Sequence, residues 1–366
     1  MKHIGIDARL YFKTGVGVYI RNLLYYLDNT APSDISFTVY VLEEDASRIS
    51  FKNKQIMITP VPYRWHTFGE QTGFFRQLYK DNLDLMHFTY FSYPILYKRP
   101  FIATVHDTIL LHNKTGMATT RNPLVYELKH IIFKKVYFTQ LRRALAVITP
   151  TETVKNQILE LTDQTYANKI KVIYEGIDRE LIESTEHNLN ISSPYILYVG
   201  NFYPHKNVNN LIKAMQFISP EVKLVLVGPD GFFLNRIKSF AAEVNLADRL
   251  IYYPDATTTD MVYLYKHAAA LVHPSLEEGF GLPLIEAAYF HTQVVASDIP
   301  VFHELLGNSY TTFDPTKPED IGYAITKALQ NPKKVDHASM RSKYDFKAMA
   351  SQIIDIYEKE TGSSRV

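Results

Sequence analysis

Short apolar, β-branched runs recur along the chain, separated by longer stretches in which apolar residues follow helical spacing. Strands buried on both faces and joined by crossover helices produce this pattern, which predicts an α/β chain built on parallel sheets. In the first half the runs are Ile4–Asp7, Phe37–Leu42, Ile56–Thr59, Leu85–Phe88, Phe101–His106, Ala144–Thr149 and Ile170–Tyr174. The second half repeats the rhythm with Tyr195–Val199, Lys223–Val227, Ile251–Tyr253, Ala270–His273, Val294–Ala296 and Tyr310–Phe313. Residues 178–194 are polar, lack a sustained apolar period and follow closely on Gly176. They read as a linker between two doubly wound domains, 1–177 and 195–344. Ligands of such sheets sit at the carboxyl ends of the strands. Asp345–Glu360 then places Phe346, Met349, Ile353, Ile356 and Tyr357 at helical spacing, and this helix is expected to return across the linker to the first domain.

Composition narrows the class. The 366 residues suit about two domains. Apolar content of 46%, with 13% aromatic and only 21% charged residues, argues against disorder. The balance of 39 Lys plus Arg against 38 Asp plus Glu gives no global field for nucleic acid. Cysteine is absent, which removes disulfides, thiolate nucleophiles and zinc sites that need sulfur. No apolar run approaches the ~18 to 20 residues of a membrane-spanning helix, and the start of the chain reaches Asp7 too soon for a signal peptide. A soluble cytoplasmic protein is the expectation.

The densest chemical signal is Val272-His273-Pro274-Ser275-Leu276-Glu277-Glu278-Gly279-Phe280-Gly281-Leu282-Pro283-Leu284-Ile285-Glu286. A strand ending at His273, a glycine-flanked turn and a helix starting near Leu282 would present amide donors at the positive end of a helix dipole, a place for phosphate or sugar oxygens. Glu278 falls in the turn and Glu286 about one turn inside the helix, so both carboxylates can accept hydrogen bonds from sugar hydroxyls. The plainer alternative makes them a helix-start charge and a capping or solvated acid. Lys206 follows another strand, with Asn207 placed to begin a helix; its ammonium can neutralise a diphosphate or simply be solvated. Gly15-Val16-Gly17 lies between the first strand and the helical stretch Tyr19–Leu27, and Ile20 stands where the dinucleotide fingerprint needs its third glycine, which argues against a nicotinamide enzyme. His106 ends the run Phe101–Val105, where a hydrogen-bonded structural histidine is the common alternative to a functional one. No D-x-D or H-E-x-x-H motif occurs, so no metal site is expected.

These stretches resemble, in order, the retaining nucleotide-sugar glycosyltransferases of family GT4, which have the two-domain GT-B fold. The resemblance rests on Glu278-x7-Glu286 inside Pro-Ser-x-x-Glu-Gly-Phe-Gly-Leu-Pro, together with Gly5-Ile6-Asp7, Thr14–Gly17, Val105-His106-Asp107, Tyr174–Asp178, Val199–Asn207 and Val227–Asp230. It covers nearly the whole chain, and the subgroup most resembled transfers mannose and related sugars. The resemblance implies catalytic roles for His106, Glu278 and Lys206. It further implies donor binding by Gly15, Val16, Gly17, Asn201, Lys206, Glu278, Gly279, Phe280, Gly281, Leu282 and Glu286. In this assignment Glu286 holds the ribose, Lys206 the phosphates and His106 the sugar. The donor implied is a nucleoside-diphosphate sugar used as substrate, a GDP-sugar by subgroup resemblance, and no cofactor or metal is expected. The acceptor that the resemblance implies is a saccharide or lipid-linked saccharide. The chain departs from the family pattern at Glu175, Pro254, His291 and Gln293, and Asn201 stands where many relatives carry arginine; these bear on base and sugar identity.

Residues 129–143 hold five basic side chains, no acids, and Ile131, Ile132, Phe133, Val136, Tyr137, Phe138 and Leu141 between them. Such a helix packs as a crossover element, and it can also touch an anionic membrane surface, here the inner face. A GT-B phosphorylase or epimerase, and a non-catalytic sugar-nucleotide or membrane-surface binding protein, are the competing readings.

Overall fold

The computed structural model describes residues 1–112, 123–191, 194–333 and 337–362. Among these, the chain forms two compact units, the first from residues 1–111, 123–175 and 345–362 and the second from residues 112, 176–191, 194–333 and 337–344. The first unit holds a seven-stranded sheet: β1 (Lys2–Asp7), β2 (Ile35–Leu42), β3 (Ile56–Val61), β4 (Leu85–Phe88), β5 (Phe101–Thr104), β6 (Val147–Thr149) and β7 (Ile170–Val172), in the order β3-β2-β1-β4-β5-β6-β7. The second holds β8 (Tyr195–Val199), β9 (Lys223–Val227), β10 (Leu250–Tyr253), β11 (Ala270–His273), β12 (Val294–Ser297) and β13 (Thr311–Phe313), in the order β10-β9-β8-β11-β12-β13. Every ladder is parallel. Strands β4, β5 and β11 are buried at every residue, as expected when helices cover both faces of a sheet.

Strand order reverses between β1 and β4 in the first sheet and between β8 and β11 in the second. Loops leaving adjacent strands at such a point diverge to opposite faces and open a crevice at the carboxyl ends. Gly15–Gly17 follow β1, Lys206 follows β8 and Glu278 follows β11.

Two sequence expectations need correction. Residues 178–194 are not a free linker. The division between units falls at Glu175 and Gly176. Asp178 then caps a short helix, Arg179–Glu183, that buries Leu181. Beyond it His187 bonds Asp260 at 2.8 Å and the Thr259 carbonyl at 3.1 Å, while Glu186 meets Lys266 at 3.3 Å. These polar anchors leave no apolar period to read. Gly15–Gly17 are likewise not a loop ahead of a helix, because the helix runs Thr14–Thr30 and contains them in its first turn.

The final helix, Phe346–Gly362, packs on the 14–30 helix and on β4 of the first unit, burying Phe346, Met349, Ile353 and Tyr357. Tyr357 Oη lies 2.7 Å from His87 Nδ1, and His87 Nε2 lies 2.8 Å from Thr104 Oγ1.

Candidate functional site

In the second unit, two loops from the strands flanking the reversal are tied together. After β8 a single 3-10 turn, Pro204–Lys206, leads to Asn207, whose backbone is left-handed (φ 57°). Asn207 Nδ2 donates to the carbonyls of Pro274 (3.1 Å) and Pro315 (2.7 Å), and the Leu276 amide donates to the His205 carbonyl at 2.8 Å. This clamp sets Lys206 against the loop after β11.

Glu278 collects three donors on Oε1: Lys206 Nζ at 2.5 Å, His273 Nε2 at 2.9 Å and Ser275 Oγ at 2.8 Å. Among the described residues none is bonded to Oε2. The Glu278 side chain is 9% exposed and that of Lys206 is 13% exposed. Burial would raise the Glu278 carboxyl, but the Lys206 charge and the His273 contact outweigh it and hold the carboxyl well below the usual range. An anion there is therefore kept charged. His273 is driven the other way by burial, below its ordinary value, against the opposing pull of Glu278. A neutral imidazole donating from Nε2 fits this contact.

The loop ends at Gly281, whose φ of 116° disfavours any side chain, and the helix Leu282–Tyr289 begins there. Amide donors in the first turn of a helix have no intrahelical acceptor. Phe280 and Leu282 are buried, Phe280 against the Tyr344 ring at 5.8 Å, and Gly279 is also buried. One turn inside, Glu286 is 7% exposed and its Oε2 accepts from Tyr265 Oη at 2.6 Å. Burial, aided by Asp178, pushes its carboxyl up to about 7 despite the Tyr265 hydrogen bond. The two acids thus have opposite characters, Glu278 fixed as an anion and Glu286 poised near neutrality. Asn201 uses its side-chain oxygen locally, accepting from the Tyr203 amide at 3.3 Å.

In the first unit, Gly15 is exposed, Val16 is half-buried and Gly17 is buried at the start of the 14–30 helix. The same helix carries Tyr19, whose ring packs edge-on to His106 at 4.9 Å and whose hydroxyl lies 3.0 Å from Thr104 Oγ1. His106 sits two residues beyond β5 and is buried. Its Nε2 donates to the Thr89 carbonyl and its Nδ1 faces Glu175 Oε1, both at 3.0 Å. Asp107 accepts from the Ile109 amide at 2.9 Å.

The contacts of His273, Ser275 and Glu175 were not legible although the residues stand in the quoted motifs, and Tyr265, inside an apolar helical run, reads as core. Arg9 was also missed. It is 1% exposed, bonds Asp7 Oδ2 and Glu70 Oε1, each at 2.7 Å, and lies over the Phe74 ring. An arginine two residues after a buried strand was the available signal.

Residues 13–181 match the family model described as Glycosyltransferase Family 4, and residues 181–345 match Glycosyl transferases group 1. The chain is 32% identical over 263 residues to the O-antigen chain mannosyltransferase RfbU of Salmonella typhimurium, covering 70% of this chain and 72% of that one. Sucrose-phosphate synthase from Thermosynechococcus elongatus superposes on the whole of both chains with a TM-score of 0.79 at 19% identity. The Anabaena protein HepE, solved with UDP and glucose, superposes over 98% of this chain and 100% of its own with a TM-score of 0.74 at 16% identity. The fold is thus the GT-B fold of these neighbours.

Proposed function

The chain belongs to the group 1 and family 4 glycosyltransferases, and from that premise we propose that it transfers mannose, with retention, from GDP-mannose to a hydroxyl of a saccharide or lipid-linked saccharide. The observation that carries this reading is the convergence of Lys206, His273 and Ser275 on Glu278 at the mouth of the 282–289 helix. In this reading the diphosphate takes the Lys206 ammonium and the first-turn amides, Glu278 receives sugar hydroxyls on Oε2, and Glu286 receives those of the ribose. Gly15–Gly17 and His106 keep the roles toward diphosphate and sugar that the family resemblance implies. The acceptor oxygen bonds to the sugar carbon as the carbon–phosphate oxygen bond breaks, and the departing phosphate oxygen takes the acceptor proton. Charge on that phosphate is balanced by an ammonium and backbone dipoles, so turnover is independent of added metal. The similarity to RfbU, an O-antigen chain mannosyltransferase, supports mannose.

The test is product analysis with GDP-mannose and an acceptor panel, with and without EDTA. Glu278→Ala and Lys206→Ala should each lower turnover by about 10²-fold or more while circular dichroism is unchanged, as expected for loss of a preorganised charge. Near wild-type rates in both variants would remove the site, and activity lost in EDTA and restored by Mg²⁺ would remove the metal independence. Product without an acceptor would point to an epimerase, and binding without turnover to a sugar-nucleotide binding protein.

The helix Pro123–Arg143 supports a second element of the reading, contact with the cytoplasmic membrane face. Ile131 and Ile132 are 61% and 54% exposed, with Lys129, Lys135 and Arg142 exposed on the same helix. No helix among the described residues is long and apolar enough to cross a membrane. Anionic vesicles should float the protein at low salt, and Ile131→Ser with Ile132→Ser should leave it in solution; equal flotation of both forms would exclude this helix as the contact.

A further inference from the structure

His106 is held by two acceptors. The Thr89 carbonyl can only accept, so Nε2 carries a proton. Glu175 Oε1 lies 3.0 Å from Nδ1, and an ionised carboxylate also only accepts, so the second contact requires a proton on Nδ1. Both contacts are satisfied together when the ring is an imidazolium facing a carboxylate. The side chains are 10% and 5% exposed, so little water competes.

The surroundings agree with a charged ring. Tyr19 presents its ring edge-on from the 14–30 helix, Thr89 its carbonyl from the end of β4, and Asp107 its carboxylate from the adjoining residue. His87 on β4 is driven down to about 3 by burial and by the His106 charge, so it stays neutral. Burial alone would strip the extra proton from His106; the hydrogen bond and charge of Glu175, the Thr89 carbonyl and Asp107 more than offset this.

We propose that Glu175 is a positioning residue that holds His106 doubly protonated, so that His106 serves the transfer as a fixed cation and not as a proton acceptor. The role in transfer rests on the reading of His106 given under the proposed function; the protonation does not.

Glu175→Gln tests both parts, since its amide can donate to a bare Nδ1 and keep the contact without the charge. With ¹⁵N-labelled histidine, assigned by the signal lost in His106→Asn, wild-type His106 should show two protonated ring nitrogens at about pH 8, and Glu175→Gln only Nε2 protonated. Turnover of Glu175→Gln should fall about tenfold at that pH and recover as the pH is lowered and its weakened imidazole regains the proton, while wild type changes less over the same range. A bare nitrogen on wild-type His106 overturns the proposal, even if the variant fails to fold. A loss by the same factor at every pH overturns the role in transfer and leaves Glu175 as structural support. Two protonated nitrogens in a protein that transfers no sugar would keep the pair and discard the function proposed above.

Discussion

Glu286 carries a conflict between stability and binding. Its carboxyl is raised from 4.5 to about 7 by burial. The favourable contribution of the protonated group is therefore complete below about pH 4.5 and is lost as the pH rises through 7, amounting to about 3 kcal/mol at most. Glu286→Gln keeps an acceptor for Tyr265 Oη without the charge. The variant should match wild type in urea unfolding near pH 4.5 and exceed it near pH 8. Hydroxyls that donate to Glu286 favour its ionised form, so donor affinity of the wild type should rise with pH across about 6 to 8. The variant should bind more weakly and without that slope, as expected for a charge-assisted hydrogen bond worth ~1.5 to 3 kcal/mol. Identical calorimetric slopes in both proteins would place the ribose elsewhere. Glu278, Glu286 and Lys206 were visible as residues because each stands in a turn or helix start with a dense local pattern. Their chemical characters were not, since these depend on Tyr265, Asp178 and His273 being brought close by packing. The His106–Glu175 contact, spanning 69 positions, is invisible to any local pattern for the same reason.

At the scale of elements, parallel strands were the most legible feature, because burial on both faces writes itself as continuous apolar runs such as Tyr195–Val199 and Lys223–Val227. Helix starts were less so. Gly15 and Gly17 lower helix propensity, so apolar spacing places the first helix at Tyr19, although the backbone is already helical from Thr14. The two glycines differ in what surrounds them. A Cβ on Gly17 would stand 2.6 Å from the Tyr11 carbonyl and 3.0 Å from that of Leu10, backbone atoms that cannot yield cheaply, whereas one on Gly15 meets nothing within 4 Å. Gly17→Ala should therefore destabilise the first unit. Gly15→Ala should leave stability unchanged or raised by up to ~1 kcal/mol, and yet weaken donor binding if a diphosphate approaches this backbone. Thermal melts and donor titrations separate the two effects, and unchanged donor affinity in Gly15→Ala would show that no ligand comes close there.

At the scale of the whole molecule, the two units are two hydrophobic cores joined by a chain that leaves the first at Glu175 and re-enters it at Asp345. The last helix is therefore part of a core that the rest of its unit completes about 170 residues earlier. Tyr357 is its deepest polar anchor, fully buried, with its ring 6.1 Å from that of Phe37 and its hydroxyl on His87. Removing such a ring leaves both a cavity and an unpaired polar atom, so Tyr357→Ala should cost the first unit about 3 to 5 kcal/mol, and Tyr357→Phe about 1 to 3. The molecule supplies its own reporter, because its one tryptophan, Trp65, lies in the first unit. In urea the midpoint read by Trp65 fluorescence should fall sharply in Tyr357→Ala. A transition assigned to the second unit by its protection on nucleotide binding should hold its place. If instead Trp65 unfolds at the wild-type midpoint, the C-terminal helix contributes nothing to the core it packs on, and its return to the first unit would be a surface contact without energetic weight.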